Sequence, residues 1–200
     1  MYLITKRIFD IIISMLLIIL FFPLFIASAS IIFGRDSSPV VIKQSRIGLH
    51  GKMFGMYKFR TMYNNAHEQR DQLKSSSQED SPLFKLDVDP RIIKGLGFLR
   101  KYSIDELPQL LNVIKGEMSL VGPRPLFAED TEYFDKNYMR RLNVLPGMTG
   151  LLQINDRNTD DFRIWYKYDL EYIENWNLRL DVEILFKTLR AVFNRRNSGK

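Results

Sequence analysis

The fold turns on residues 11–33, which read IIISMLLIILFFPLFIASASIIF. No residue in this run is charged; Lys6, Arg7 and Asp10 precede it, and Arg35 closes it. As one straight helix it would extend roughly 35 Å, enough to cross a bilayer. A single crossing is the first reading. A cleaved signal peptide is the second, because Ala27-Ser28-Ala29 resembles a small-residue cleavage site. Asp10 at the start of the run and Ile31-Ile32-Phe33 beyond the supposed cut oppose it. The third reading rests on Pro23, near the middle. Proline removes a backbone hydrogen bond and crowds the preceding turn, so it kinks or breaks a helix. Each half then reaches roughly 18 Å, the depth of one leaflet. Basic residues flank both ends (Lys6 and Arg7; Arg35, Lys43, Arg46 and Lys52), and both groups favour the same cytoplasmic face. The favoured reading is a helix–break–helix over residues 1–36 that enters and leaves by one face. Residues 37–200 then form a separate soluble domain.

Composition narrows the chemistry. Of 200 residues 46% are hydrophobic and 26% charged, with a net charge of +6, so a folded core and an anionic partner are expected. An apolar run flanked by basic residues favours lipid headgroups and phosphorylated substrates over nucleic acid. There is no cysteine, which excludes disulfides, thiolate metal sites, iron–sulfur clusters and thiol catalysis. The absence of a Walker loop and of G-x-G-x-x-G argues against nucleotide triphosphatases and dinucleotide oxidoreductases.

In the soluble part, Val40–Gln44 and Lys52–Phe59 read as a β-hairpin closed through glycines. Helices are expected over Asn65–Lys74, from Ser103 to Lys115 with a stop at Gly116, and over Glu129–Val144. Ser75–Ser81 reads as a loop. Near the C-terminus Val182, Leu185, Phe186, Leu189, Val192 and Phe193 make one apolar helical face with basic flanks. Packing into a core and lying on a membrane surface are equally compatible with that pattern.

The sharpest polar cluster is Arg100-Lys101-Tyr102-Ser103-Ile104-Asp105-Glu106. Ser103 and Glu106 match the S-x-x-E capping box, which would make Asp105 a mere complement to the helix dipole. The same residues also suit chemistry. An ionised aspartate at a helix start is a competent nucleophile toward phosphorus. Glu106 beside it can serve as a base or a metal ligand, and the pair next to a diphosphate implies Mg²⁺ held by Asp105 and Glu106. Arg100 offers a planar fork for phosphate oxygens. In Gly122-Pro123-Arg124-Pro125 two prolines stiffen the loop that presents Arg124, either as preorganised charge or as a plain surface turn. Lys58-Phe59-Arg60 and Asn155-Asp156-Arg157-Asn158 are weaker candidates for phosphate or nucleotide contact. His50 and His67 match no ligand pattern and read as surface residues.

Taken together these motifs resemble those of the bacterial sugar transferases, the small monotopic polyprenol-phosphate phosphoglycosyl transferases. The likeness covers Lys6-Arg7-Ile8-Phe9-Asp10, Phe22-Pro23, Tyr57-Lys58-Phe59-Arg60-Thr61-Met62 and Asp89-Pro90-Arg91. It continues through Ser103–Gln109, Asn112–Gly116, Met118–Pro125 and Pro146-Gly147-Met148-Thr149-Gly150. The resemblance implies a helix-rich α/β fold with a small β-hairpin. A re-entrant membrane helix broken at Pro23 would join a cytosolic catalytic domain carrying amphipathic membrane-surface helices. It implies Asp105 and Glu106 as the catalytic pair, with Arg100 and Arg124 near phosphate. The reaction implied moves a sugar-1-phosphate from a UDP-sugar to undecaprenyl phosphate with Mg²⁺. UMP departs and a phosphosugar–aspartate intermediate forms, as the first membrane step of O-antigen, capsule, exopolysaccharide or glycoprotein glycan synthesis. The expected location is the bacterial inner membrane, with the site on the cytoplasmic face and a homodimer allowed but not specified. Phe22 where many members carry serine, Leu152 for a common tryptophan and Asp156 for a common glycine depart from the pattern. The chain reads as the minimal catalytic version. Two other readings compete: a non-catalytic, basic, membrane-anchored interaction protein, and a metal-dependent hydrolase of lipid diphosphates.

Overall fold

A computed structural model describes residues 4–37, 39–63, 66, 89–157, 159 and 161–193. The expected helix Asn65–Lys74, apart from Ala66, lies outside the described residues, as do the loop Ser75–Ser81, His67 and Asn158.

The N-terminal run forms one helix, α1 (Ile4–Asp36), with Pro23 inside it. The expected break is therefore not an interruption of the helix. A proline forfeits only its own N–H bond, and a helix of this length carries that local loss. Most of α1 is apolar and open: Ile19 is 70% and Leu20 67% exposed. One stripe is not. Lys6, Asp10, Ser14, Ser28 and Ile32 are buried, and Ile13, Leu17 and Phe25 pack against the main core. Both ends of the helix are tied to residues that follow it. At the start, Lys6 Nζ lies 2.6 Å from Asp181, and Arg7 donates to the carbonyls of Val113 and Ile114. Midway, the Phe25 and Phe59 rings meet edge to face. At the far end Arg60 pairs with Asp36, and Ile32 sits among Phe59, Ile93, Leu96 and Leu99.

The expected hairpin forms from β1 (Val41–Ile47) and β2 (Met53–Phe59), antiparallel, pairing Val41 with Phe59 and Ile47 with Met53. A 3-10 turn at Leu49–Gly51 closes it, with His50 and Gly51 both at positive φ. After the short helix α2 (Gly97–Lys101) the chain makes a 3-10 turn, Ile104–Gln109, before α3 (Leu110–Lys115), which ends at Gly116 in the left-handed region. The single helix expected from Ser103 is thus divided. Pro108 has no N–H for the Ile104 carbonyl, and its ring crowds that group, which favours the tighter turn.

A second, parallel pair joins β3 (Ser119–Val121) and β4 (Gly147–Thr149); three residues are too few to show a strand period in sequence. The helix expected over Glu129–Val144 is instead two 3-10 turns, Glu129–Tyr133 and Tyr138–Asn143, parted by extended Phe134. Aspartates drive this outcome. Asp130 accepts the Phe127 N–H and Asp135 the Tyr138 N–H, local bonds that compete with helical ones. Three helices finish the chain: α4 (Leu151–Asn155), α5 (Phe162–Asn175) and α6 (Leu178–Phe193). The main core gathers Met56, Leu110, Val113, Leu120, Val121, Tyr172 and Ile184 between the hairpin, α3, β3 and α6.

Of the alternatives for the C-terminal helix, core packing is realised on one face, and the opposite face is left open. Asp181 and Ile184 of α6 are fully buried, whereas Phe186 is 70% and Leu189 50% exposed.

Candidate active site

Four segments, distant in sequence, converge on one acid pair. The first is β2, seated by Asn112, whose Oδ1 accepts the Tyr57 N–H at 2.9 Å and whose Nδ2 donates to the Gly55 carbonyl at 2.8 Å. This places the next residue, Lys58, against the turn that carries the acids. The second is that turn. Ser103 stands at φ 57° and makes no side-chain cap, so the expected Ser103–Glu106 capping box does not form. The left-handed residue sends the chain into the 3-10 turn directly, with the Glu106 N–H bonded to the Ser103 carbonyl at 3.1 Å. Ser103 Oγ is used elsewhere and accepts from Arg157 at 2.8 Å.

The third segment is the loop after β3. A Cβ on Gly147 would come within 2.1 Å of the Gly122 nitrogen, and one on Gly150 within 2.6 Å of the Gly122 carbonyl. The backbones therefore touch in a way only glycine permits. With Gly122 N–H bonded to Thr149 and Gly147 N–H to the Pro123 carbonyl, the stiff Pro123-Arg124-Pro125 unit is fixed in place. The fourth segment is the turn after α4, which delivers Arg157.

Glu106 Oε1 receives both Arg124, at 2.7 Å, and Lys58, at 3.2 Å. Burial works against its charge, yet Arg124 and then Lys58 outweigh it and hold the carboxyl far below the usual carboxylate range. Arg124 is raised in turn, chiefly by Glu106. Burial pulls Lys58 down, with Glu106 opposing. Asp105 moves the other way. It is 6% exposed, and burial followed by the neighbouring Glu106 charge pushes its carboxyl up, while Lys58, Arg100 and Arg124 pull it back. The two acids are thus held apart in pKa, the usual mark of different roles. A carboxylate as acidic as Glu106 accepts a proton poorly at neutral pH, so the base role considered for it is disfavoured.

Among the other sequence candidates, Arg100 lies within electrostatic reach of Asp105 and Asp89. Arg60 is not brought to the acids. It is buried and binds Asp36 and the carbonyls of Asp36 and Ser37, strapping the end of α1 to the hairpin. Asp89 and Arg91 close a two-point pair with each other. Leu152 is a core residue beside Leu126 and Trp165, and Asp156 accepts a hydrogen bond from Tyr168 at 2.6 Å.

An apolar cleft of about 450 Å³ opens beside the acids. Ser103, Glu106, Arg124 and Arg157 contribute its polar lining; Phe9, Ile13 and Leu17 of α1 and Val182, Leu185 and Leu189 of α6 supply apolar walls. Among the described residues no group of three or more acidic or histidine ligands forms a metal cage. Two adjacent carboxylates nevertheless match Mg²⁺, which binds through one or two protein carboxylates and takes its other oxygens from phosphate and water. Asp105 and Glu106 fit it on those terms.

The class these features define is an α/β protein with a buried acid pair, one member of which, Glu106, is clamped by cations and lines an apolar cleft, an arrangement suited to phosphate carried on an apolar chain. The chain belongs to the bacterial sugar transferase family, whose model matches residues 1–195. It is 42% identical over 194 residues to the undecaprenyl-phosphate galactose phosphotransferase of Salmonella typhimurium, covering 95% of this chain and 40% of that protein. It is 39% identical over 199 residues to the exopolysaccharide production protein ExoY of Sinorhizobium fredii, covering 98% and 88%. A UDP-N-acetylgalactosamine-undecaprenyl-phosphate N-acetylgalactosaminephosphotransferase of Aeromonas hydrophila is 39% identical over 197 residues, covering 96% and 44%. The chain spans about two fifths of the length of its longer relatives.

Sequence reasoning singled out Asp105, Glu106, Lys58, Arg124 and Arg157 but missed the buried supports. Lys6 and Asp10 bind Asp181 and Ser119, and Asp169 binds Arg141 and Tyr138. Lys6 and Asp10 stood in a family-like motif but read as flanks of the apolar run, Arg141 showed only as a charged residue in a segment expected to be helical, and Asp169 carried no distinguishing signal.

Proposed function

We propose that this protein transfers a sugar-1-phosphate from a UDP-sugar to undecaprenyl phosphate at the cytoplasmic face of the bacterial inner membrane, with Asp105 as nucleophile. The observation that carries this reading is the asymmetry of the acid pair. Glu106 is consumed by Lys58 and Arg124, whereas no hydrogen bond to the Asp105 carboxylate is found among the described residues. A buried carboxylate that its neighbours surround but do not occupy is the group left to attack.

In the first half-reaction an Asp105 oxygen lone pair forms a bond to the phosphorus that carries the sugar. The phosphorus–oxygen bond to UMP breaks, and its electron pair leaves on the UMP phosphate. A phosphosugar–aspartate remains. In the second, a phosphate oxygen of undecaprenyl phosphate attacks the same phosphorus. The bond to Asp105 breaks, the carboxylate returns, and the product is a diphosphate-linked sugar. Arg124, Arg157 and Arg100 stabilise charge on the transferring oxygens from fixed positions, which is most of what phosphoryl transfer asks of a protein. Lys58 holds Glu106. Mg²⁺, held by Asp105 and Glu106, would supply charge neutralisation on the donor diphosphate. The acceptor's apolar tail would use the cleft between α1 and α6, with its phosphate toward Arg124 and Arg157.

The membrane arrangement belongs to the same proposal. Residues 1–36 are embedded in the bilayer as one helix bent, not divided, at Pro23, with both ends on the same face, and residues 37–200 form the catalytic domain on that face. What supports it is that Lys6 and Arg7 at one end of α1, and Asp36 at the other, are bonded to the same body. A helix crossing to the far side cannot keep both ends there.

The test is UMP release from a panel of UDP-sugars with undecaprenyl phosphate and Mg²⁺, together with product analysis. Asp105→Asn is expected to abolish release while the protein stays folded and membrane-bound; normal turnover by that variant overturns the reading. Free sugar phosphate formed without acceptor would establish a hydrolase instead.

A further inference from the structure

Arg141 is 4% exposed and lies outside the cleft lining, so it has no direct access to a substrate there. Its Nη2 lies 3.0 Å from Asp169 Oδ2 and donates to the Arg124 carbonyl at 2.5 Å. Asp169 is buried as well and accepts the Tyr138 hydroxyl at 2.6 Å. The guanidinium also faces the Tyr138 and Phe134 rings, at 5.0 and 5.3 Å from their centroids. Its Nε, by contrast, is buried and makes no hydrogen bond among the described residues. A buried arginine with an unmet donor is a poor device for stability, since an apolar residue of similar volume fills such a site at no desolvation cost. What an apolar residue cannot do is grip a carbonyl.

That carbonyl belongs to the residue that clamps Glu106. Between Pro123 and Leu126 the loop is held at successive carbonyls: Pro123 by the Gly147 N–H, Arg124 by Arg141, and Leu126 by the Ile47 N–H. Neither proline can donate, so the loop has few other ways to fix its backbone. Arg141 is the one charged side chain among these three grips.

We infer that Arg141, itself held by Asp169 of α5, is a positioning residue that sets Arg124 against Glu106 by gripping the Arg124 carbonyl. The line of force runs from α5 through Asp169, Arg141 and the Arg124 backbone to the Arg124 guanidinium. This deepens the proposed phosphoryl transfer and rests on it for its consequence in turnover. The geometric claim about Arg124 stands apart from it.

Arg141→Met would leave Asp169 buried and unpaired and can fail to fold, so Arg141→Lys is the working variant. It keeps the charge but ends one bond short of Nη2, too short to serve Asp169 and the Arg124 carbonyl together. Asp169→Asn, which retains an acceptor for Tyr138, is the second variant. Two readouts are made on the full chain in lipid nanodiscs. The first is a double-mutant cycle in kcat/KM for UMP release. Arg141→Lys alone is expected to lower it about 10- to 100-fold, mostly in kcat. In an Arg124→Ala background it is expected to cost less than about 2-fold, because the group it positions is gone. Equal losses in both backgrounds would overturn the inference and leave Arg141 a structural residue. The second readout is hydrogen exchange of the Arg124 Nε–H by ¹⁵N NMR, assigned from its disappearance in Arg124→Lys. Exchange is expected to speed up in Arg141→Lys and in Asp169→Asn at unchanged helix content; unchanged exchange in both variants overturns the claim. If the wild-type protein releases no UMP from any donor, the proposed function fails and this second readout alone decides the role of Arg141.

Discussion

Replacing Lys6 by methionine tests how the apolar N-terminal helix is joined to the rest of the chain. The Lys6 ammonium is 2% exposed, 2.6 Å from Asp181 and 3.8 Å from Asp10, and both carboxylates are fully buried. Asp181 also accepts from Tyr172 at 2.8 Å and Trp176 at 3.1 Å; Asp10 accepts from Ser119 at 2.7 Å. Removing the lysine leaves two buried acids with hydrogen bonds but no counter-charge, a change that costs about 3–5 kcal/mol. For a chain of this size that lowers the melting temperature by roughly 6 to 20 °C. Asp181→Asn added to Lys6→Met removes one orphaned charge while its amide oxygen still accepts from Trp176 and its amide N–H meets the Tyr172 hydroxyl, which can donate to the Val121 carbonyl instead. The double variant should recover more than half of the loss. The assay is heat unfolding in nanodiscs followed by tryptophan fluorescence, since Trp176 reports on this junction directly. A single variant within about 1 kcal/mol of wild type, the centre of ordinary substitution effects, or a double variant no better than the single, would refute the reasoning.

Three further outcomes are expected. Because burial and Glu106 push Asp105 up from 3.8, the acid limb of donor-only UMP release should lie above the ordinary aspartate range. Lys58→Met removes a cation that pulls Asp105 down and should move that limb to still higher pH; a shift to lower pH would contradict the electrostatics. Asp105→Asn should melt higher than wild type at pH 8, since it relieves a buried charge. A folded-state pKa raised above the unfolded value favours the folded protein as pH falls through it, so the gap should narrow on acidification. A gap that widens would reverse the sign of the argument. Finally, the absence of native cysteine permits single cysteines at the exposed Ile4 and Lys43. An impermeant reagent should label both from the same side of a sealed vesicle, and opposite-side labelling would make α1 a true crossing.

The parts of this structure legible in sequence were those written in local periodicity or forced by proline and glycine. The hairpin showed in the β-branched and aromatic runs around Gly48 and Gly51, the stop of α3 in Gly116, and the apolar helix in its length. The acid pair stood out because adjacent carboxylates at a helix start suit phosphate chemistry, and Arg124 because two prolines stiffen the loop that presents it. The rest depended on tertiary choices. Ser103 has the residue type of an N-cap, but its hydroxyl is taken by Arg157 and its backbone is left-handed. Arg60 looked like a phosphate contact because alternation along a strand puts it on the same face as Lys58, yet β2 ends at Phe59 and the side chain one residue beyond it binds Asp36 instead. Pro23 marks a weak point but cannot by itself say whether the helix divides. Arg141 sits in a segment that reads as a helix and folds as turns, which hid its burial.

The covalent role of Asp105 is tested most directly by incubating the purified protein with UDP-sugar and Mg²⁺, without acceptor, and measuring its intact mass after acid quench. The expected result is a mass increase of one sugar phosphate located on Asp105, stoichiometric with UMP released and discharged when undecaprenyl phosphate is added. Turnover in the presence of acceptor with no such adduct on Asp105 would contradict it.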